Sequence, residues 1–254
     1  MKHNNQINTI IFDLFGVLFK FDTIPAIRYL GVGDIIWYYL RFRQDPFQRS
    51  LRILDKIRRE VPGEYQTVMK YKDMYLPESF VKWQKGYIKR IDLVHLVHQY
   101  LHQLSEEHYF VNHKDQKAIE KLLTLFAHPR QMLSSFYLPI YIVDLIKKIK
   151  ATNHYKLLII SNIDEETYHH VIKEYDYFFS LFDGFIASCN VHLVKPESTI
   201  YQYALDTYQV NPGHTLFVDD QRENIVAAHN LGINTHMCPS PKKLAHILKS
   251  IGIQ

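Results

Sequence analysis

Short apolar runs alternate with helical patterns from about residue 138 to the end of the chain, and this alternation constrains the fold most strongly. The predicted strands are Ile7–Asp13, Lys156–Ser161, Gly184–Ala187, His214–Asp219 and Asn234–Cys238. The predicted helices are Asp164–Tyr175, Pro196–Tyr208, Arg222–Leu231, and a last one with Ser240 as N-cap and Pro241 as its first residue. Strands that alternate with helices of about 10 to 15 residues predict an α/β fold, with a parallel sheet covered on both faces.

The segment between the first strand and this alternation has a different pattern. It has almost no strand runs, and amphipathic segments dominate it, including a helix opened by Asp45-Pro46, a clear stripe over Asp92–Leu104, and Ala118–Phe126. We therefore expect a discontinuous core of residues 1–21 and 136–254, with 22–135 inserted as a helical cap.

Composition excludes several classes of protein. Hydrophobic residues make up 47% and charged residues 22% of 254 residues, as in globular domains. The net charge of +4 comes from 30 basic and 26 acidic residues spread along the chain, so nucleic acid is not an expected partner. Charges or proline interrupt the apolar stretches 24–42 and 132–149, so no membrane segment is expected.

The two cysteines, Cys189 and Cys238, fit neither a disulfide framework nor a zinc spacing. With a polar start that does not resemble a signal peptide, they lead us to expect a cytoplasmic protein. The chain has 9 glycines and neither of the glycine-rich phosphate-binding motifs, so any phosphate must be held by other means. Nothing in the sequence predicts an oligomeric state.

Reactive polar residues follow three of the predicted strands: Asp13, Ser161, and the pair Asp219-Asp220. A single Asp after a strand is usually a turn or helix-cap residue. Three such positions in one parallel sheet are better explained by a ligand site, because ligands bind outside the carboxyl ends of the strands, where the strand order reverses.

These residues fall into four ordered motifs. They are Asp13-Leu-Phe-Gly-Val-Leu18, then Ser161-Asn162, then Lys195-Pro196, and finally Asp219-Asp220-x-x-x-Asn224 with Ala228 and Gly232. In this order the chain resembles the haloacid dehalogenase-like (HAD) hydrolase superfamily. The resemblance implies a Rossmann-like three-layer core and covers residues 7–18 and about 156–237; the insert carries none of it.

The resemblance also implies roles for these residues. Asp13 would be a carboxylate nucleophile that forms a phospho-aspartyl intermediate. Ser161 and Asn162 would bind the phosphoryl group, and Lys195 would bridge the nucleophile and the phosphate. Mg²⁺ would be held by Asp13, the backbone carbonyl of Phe15 and Asp219, with Asp220 and Asn224 as additional or outer groups. The expected substrate is a small phosphorylated metabolite, such as a sugar phosphate.

Charge balance agrees with these roles. A carboxylate cannot readily attack a phosphate dianion, because both are negative. Asp13, Asp219 and Asp220 bring three negative charges, which Lys195 and a divalent cation would balance. Mg²⁺ prefers oxygen ligands, so metal and side chains can hold phosphate without a glycine-rich loop.

Position 15 departs from the family pattern. Most phosphatases of this superfamily have a second Asp there, as general acid and base, and its loss typically costs about 10²- to 10⁴-fold in rate. Three alternatives follow. The first is a phosphatase that is slow, or that acts on esters with good leaving groups such as sugar 1-phosphates, or that takes an acid from the helical insert; a branch resembling α-D-glucose-1-phosphate phosphatases also lacks this Asp. The others are a 2-haloacid dehalogenase and a phosphate- or protein-binding descendant with little turnover. The acidic pair Asp219-Asp220 argues against the dehalogenase, which needs no metal.

Overall fold

A computed structural model describes residues 7–42, 46–64, 69–71, 74–125 and 133–253. The strands of these residues, in chain order, are β1 (Thr9–Phe12), β2 (Lys20–Phe21), β3 (Lys70–Tyr71), β4 (Met74–Tyr75), β5 (Phe136–Tyr137), β6 (Lys156–Ser161), β7 (Gly184–Ala187), β8 (Thr215–Asp219) and β9 (Asn234–Met237). Their helices are α1 (Thr23–Leu30), α2 (Val32–Phe42), α3 (Pro46–Glu60), α4 (Glu78–Gln84), α5 (Arg90–Glu106), α6 (His113–Leu125), α7 (Ile140–Ala151), α8 (Glu165–Glu174), α9 (Asp176–Phe179), α10 (Ser188–Val191), α11 (Ser198–Tyr208), α12 (Arg222–His229) and α13 (Pro241–Ser250).

The chain divides into two compact units, Met1–Phe21 with Phe136–Gln254, and Asp22–Ser135. In the first unit, five parallel strands form one sheet in the order β7-β6-β1-β8-β9. The predicted α/β class is thereby confirmed. Within the described residues, no helix combines the length and the apolar composition needed to cross a bilayer.

Burial explains why the predicted runs become strands. All four residues of β1 and the last five of β6 are buried, as expected for strands covered on both faces. Burying each large aliphatic side chain contributes about 1.5 to 3 kcal/mol, so these segments stabilise the centre of the sheet. β1 lies between β6 and β8, which brings the ends of the three central strands to one edge.

The predicted strand and helix positions of this unit are confirmed to within about two residues. Helix α8 begins after Asp164, whose side chain accepts a hydrogen bond from the Thr167 amide at 3.2 Å. Helix α13 begins at Pro241 as predicted, but the Ser240 side chain makes no capping hydrogen bond.

The second unit is mainly helical and has its own apolar core. The predicted stripe of α5 is buried at Leu93, Val97, Tyr100, Leu101 and Leu104. Helix α3 starts at Pro46, and α6 begins five residues before the predicted Ala118; Asp45 and Phe126 lie outside the described residues. The antiparallel pair β3/β4 is an addition that the sequence analysis did not predict. The role of this unit as a cap stays a prediction.

Candidate active site

The loop after β1 places Asp13 at the carboxyl end of the central strand. The Asp13 amide donates to the Val218 carbonyl of β8 at 2.9 Å, which continues the sheet pairing by one residue. The loop then turns tightly, since the amides of Leu18 and Phe19 both donate to the Leu14 carbonyl, at 3.0 and 2.8 Å. The Asp13 side chain is therefore buried at the centre of the sheet edge.

Gly16 is required in this loop for two reasons. Its φ is +100°, which favours glycine, and a Cβ at this position would lie 2.6 Å from Asp220 Oδ2. The loop after β1 thus packs directly on the carboxylate that follows β8.

Lys195 joins the ends of β1 and β8. Its Nζ donates to Asp13 Oδ1 at 2.6 Å and to Asp219 Oδ2 at 2.7 Å, and the residue is 2% exposed. A buried ammonium group needs such partners, because an unpaired buried charge is strongly destabilising.

Asn162 positions Lys195 through its side chain. Its Nδ2 donates to the Lys195 carbonyl at 2.9 Å, while its Oδ1 accepts from the Lys195 amide at 2.8 Å. The sequence analysis assigned Asn162 to phosphate binding and missed this role. The signal available in the sequence was an Asn directly after a predicted buried strand, followed by a lysine in a later loop.

Asp219 is held by the loop and helix that follow β8. Its Oδ1 accepts from the Gln221 amide at 2.7 Å, and Asn224 Nδ2 approaches both carboxylate oxygens, at 3.0 and 3.1 Å. The Tyr201 hydroxyl donates to the Asn224 carbonyl at 3.2 Å. Asn224 therefore contacts the carboxylate itself, and Tyr201, which the sequence analysis did not single out, supports it.

Ser161 is buried at the end of β6, the strand that pairs with β1 and therefore lies next to the strand that Asp13 follows. The loop after it is fixed by Ser188, whose Oγ accepts from the Ile163 amide at 2.9 Å and donates to the Ile163 carbonyl at 3.1 Å. Ser188 is a supporting residue that no motif indicated.

The acidic residues form a cluster suited to a hard cation. Asp13, Asp219 and Asp220 each offer a carboxylate oxygen within 4.8 Å of the others. Asp220 Oδ1 is buried and has no hydrogen-bond partner among the described residues. Oxygen donors and an orphaned carboxylate oxygen are what Mg²⁺ requires, so the residues present fit this ion.

The pKa values reflect this concentration of charge. Burial raises the pKa of Asp13 to about 8; Lys195 lowers it, and the neighbouring Asp219 and Asp220 raise it. Burial, and then the charge of Asp219, raise the pKa of Asp220 to about 6. The two carboxylates raise the pKa of Lys195 against the effect of burial, so it stays charged. With all groups ionised, three carboxylates face one ammonium group, and a divalent cation would balance the excess.

Phe15 takes the position of the usual second Asp. Its ring is half-buried and packs on Phe136, with ring centroids 4.5 Å apart, and on Phe19, at 5.9 Å. The side chain at this position therefore provides aromatic surface and no proton.

The chain matches one family model over most of its length and matches individual known proteins over shorter parts. A family model described as haloacid dehalogenase-like hydrolase matches residues 7–232. The sesquiterpene phosphatase astK of Aspergillus oryzae is 27% identical over 110 residues, which are 43% of this chain and 55% of that protein. Bifunctional epoxide hydrolase 2 of Rattus norvegicus is 41% identical over 54 residues, 21% of this chain and 10% of that protein. The match thus spans about half of the first relative and a tenth of the second.

Two solved structures share the fold. A HAD family enzyme from Bacteroides thetaiotaomicron, solved with magnesium and inorganic phosphate, has a TM-score of 0.60 at 18% identity, over 95% of this chain and 98% of that one. A protein from Porphyromonas gingivalis described as a predicted HAD-like family hydrolase has a TM-score of 0.57 at 18% identity, over 98% of this chain and 100% of that one. At this identity the likeness concerns the fold alone.

Proposed function

Because the chain belongs to the haloacid dehalogenase-like hydrolase family, we propose that it is a Mg²⁺-dependent phosphomonoester hydrolase with Asp13 as nucleophile. The observation that carries the proposal is the buried contact of Lys195 Nζ with both Asp13 and Asp219, beside the orphaned carboxylate oxygen of Asp220. The phosphatase relative supports the choice of phosphate ester over other hydrolase substrates.

Each residue of the site is assigned a role in this proposal. Asp13 attacks the phosphorus atom, and the bond to the ester oxygen breaks with its electron pair going to that oxygen. Water then attacks the phosphorus atom, the bond to Asp13 breaks, and phosphate is released with the carboxylate regenerated. Lys195 offsets the negative charge of the nucleophile and of the phosphate. Ser161 donates a hydrogen bond to a phosphoryl oxygen, and Asn162 holds the Lys195 backbone in place.

The metal would be held by Asp13, Asp219 and the Phe15 carbonyl, with Asp220 and Asn224 around them. When bound, Mg²⁺ neutralises negative charge on the carboxylates and the phosphate and orients the phosphate. Its charge also favours ionised Asp13, which the nucleophilic role requires near neutral pH.

A protein that binds phosphate with little turnover is the second candidate. The aromatic residue at position 15, packed on Phe136, favours it, because no carboxyl group there can protonate the leaving group. A 2-haloacid dehalogenase is disfavoured by the paired Asp219-Asp220, and chloride release from 2-haloacids without metal would detect it.

The test is phosphate release from a panel of phosphomonoesters, with and without Mg²⁺. Asp13→Asn is the blank, and Asp206→Asn, on the exposed face of α11, is the matched control. We expect Asp13→Asn and chelation each to lower turnover by about 10³-fold or more, and the control to keep wild-type activity. Activity that survives Asp13→Asn contradicts the proposed nucleophile; no activity with any ester favours the second candidate.

A further inference from the structure

Three aromatic rings run from the loop after Asp13 to the protein surface. The ring centroids of Phe15 and Phe136 are 4.5 Å apart, and those of Phe136 and Phe21 are 5.2 Å apart. Phe15 lies two residues after Asp13 and directly before Gly16, whose Cα faces the Asp220 carboxylate. We name Phe15, Phe136 and Phe21 the aromatic shelf; all three belong to the larger unit.

The pairing of β2 with β5 builds the outer part of this shelf. Phe21 lies directly opposite Phe136 in the antiparallel register, so the two rings share one face of the pair. Lys20 and Tyr137 form the neighbouring cross-strand pair, with Lys20 Nζ 5.4 Å from the Tyr137 ring centroid, on the opposite face. One face of the β2/β5 pair therefore carries the rings of Phe21 and Phe136.

The shelf includes the residue two positions after Asp13 at one end and an exposed ring at the other. Phe15 and Phe136 are half-buried, and Phe21 is 46% exposed. A flat ring that binds along this surface would bury apolar area and gain favourable ring–ring geometry. A sugar or polyol has no ring of its own and would not gain this ring–ring geometry.

The missing acid at position 15 points to the same chemistry independently. Position 15 supplies no proton, and where no other group supplies one the ester oxygen leaves as an anion. A phenol has a pKa of about 10, as in the tyrosine side chain, so its anion is a far better leaving group than the alkoxide of a sugar or polyol. Phe15 therefore removes the acid that alkyl esters need and supplies a ring that an aryl ester can contact.

We propose that the substrates are monophosphate esters of phenols, with the aromatic leaving group on the shelf of Phe15, Phe136 and Phe21. This inference rests on the proposed phosphatase function. In the first step the Asp13 carboxylate oxygen bonds to phosphorus, the bond from phosphorus to the aryl oxygen breaks, and that oxygen leaves with the electron pair as phenolate. In the second step water attacks phosphorus, the bond to Asp13 breaks to regenerate the carboxylate, and the water proton passes to solvent.

The first experiment compares kcat/KM for phenyl and 2-naphthyl phosphate with that for glycerol phosphate and glucose 6-phosphate, with Mg²⁺ present. We expect the aryl esters to be favoured by about 10²-fold or more, the range that a missing acid costs. Equal or faster turnover of the alkyl esters, while Asp13→Asn is inactive, overturns this inference and leaves the phosphatase function standing. No turnover of any ester overturns both.

The second experiment tests the shelf with variants. Phe21→Leu keeps an apolar side chain and loses the ring; we expect kcat/KM for 2-naphthyl phosphate to fall about 2- to 12-fold, through KM, and by more than kcat/KM for alkyl esters. Tyr203→Leu is the control, because Tyr203 is 41% exposed, close to the exposure of Phe21, and lies on helix α11. Equal effects of the two variants on 2-naphthyl phosphate contradict a role for the shelf.

The third experiment separates the acid from the ring. Phe15→Asp supplies a carboxyl group, so we expect it to raise alkyl-ester turnover relative to aryl-ester turnover. Phe15→Leu supplies no acid, so we expect it to keep the preference for good leaving groups and to lose only the ring contact. If Phe15→Leu abolishes the preference for aryl over alkyl esters, the leaving-group argument is wrong. Phe15→Leu also serves where Phe15→Asp does not fold.

Discussion

The buried ammonium of Lys195 offers a test of the charge arrangement that needs no substrate. Lys195→Met keeps much of the apolar stem and removes the charge that contacts Asp13 at 2.6 Å and Asp219 at 2.7 Å. Removing one partner of a buried ion pair costs about 3 to 5 kcal/mol, because the remaining charge is left uncompensated. For a chain of this length that corresponds to a fall in Tm of about 6 to 20 °C.

The stability lost in Lys195→Met should depend on pH, and the charges around Asp13 determine whether it grows or shrinks as the pH rises. In the metal-free protein, burial raises the pKa of Asp13 to about 8, above its value of about 3.9 in the unfolded chain, and Lys195 restrains that rise. A raised carboxyl pKa means that stability falls with rising pH until the folded-state pKa is passed. Without Lys195 the folded-state pKa of Asp13 is higher still, so the decline continues above pH 8, where the wild-type curve has levelled. We expect the difference in stability between the wild-type protein and Lys195→Met to be larger at pH 9 than at pH 6.5.

The matched control is Lys150→Met. Lys150 pairs with Asp183 at the same 2.7 Å, but the two side chains are 35% and 37% exposed. Surface pairs contribute about 0 to 1 kcal/mol, so this variant should lose little stability and show no widening at high pH.

Far-UV circular dichroism during thermal unfolding is the suitable measurement. Tryptophan fluorescence is less suitable, because Trp37 and Trp83 both belong to the unit 22–135, whereas Lys195 belongs to the other unit. Added Mg²⁺ should stabilise Lys195→Met more than wild type, since the site is then more negative. The proposed charge arrangement is wrong if Lys195→Met loses no more stability than Lys150→Met, or if its loss of stability is the same at pH 6.5 and pH 9.

Three further predictions concern the metal, the loop and the intermediate. Mg²⁺ at 100 times its Kd should raise the stability of the wild-type protein by about 2.7 kcal/mol, or about 5 to 11 °C in Tm, and Asp219→Asn should abolish this shift in a thermal titration. Gly16→Ala should weaken Mg²⁺ binding measured by calorimetry, because its Cβ would lie 2.6 Å from Asp220 Oδ2; Gly252→Ala has a similar positive φ with no atom within 4 Å and should leave binding unchanged. If the missing acid limits the second step, phosphorylated Asp13 should accumulate during turnover and be detected by intact-protein mass spectrometry after acid quench; its absence at steady state would count against that limit.

Local pattern was sufficient to predict the parallel core. Runs such as Lys156–Ser161 have an apolar centre with side chains on both faces, which predicts a strand covered on both sides, and the structure confirms the strand. The strand ends at Asp13, Ser161 and Asp219 lie at one edge because parallel strands share their direction. Neither conclusion needed any contact between residues distant in sequence.

The supporting contacts could not be predicted in this way. Asn162 and Lys195 are 33 residues apart, and their paired hydrogen bonds depend on how two loops meet after the strands have formed. The same holds for Ser188 and Ile163. The pair β3/β4 was missed for a different reason, because strands of two residues are too short to show a period.

The contacts explain how position 15 can change without loss of the charge cluster. Asp13 is fixed through its backbone to Val218, Lys195 through Asn162, and Asp219 through Asn224 and Gln221. None of these hydrogen bonds involves a side chain at position 15, whose ring packs on Phe136 and Phe19. A change from carboxyl to phenyl there removes a proton donor and adds apolar surface, while the charged groups keep their partners. The residue at this position should therefore determine which leaving groups are accepted, and the cluster should determine whether a phosphate is bound at all.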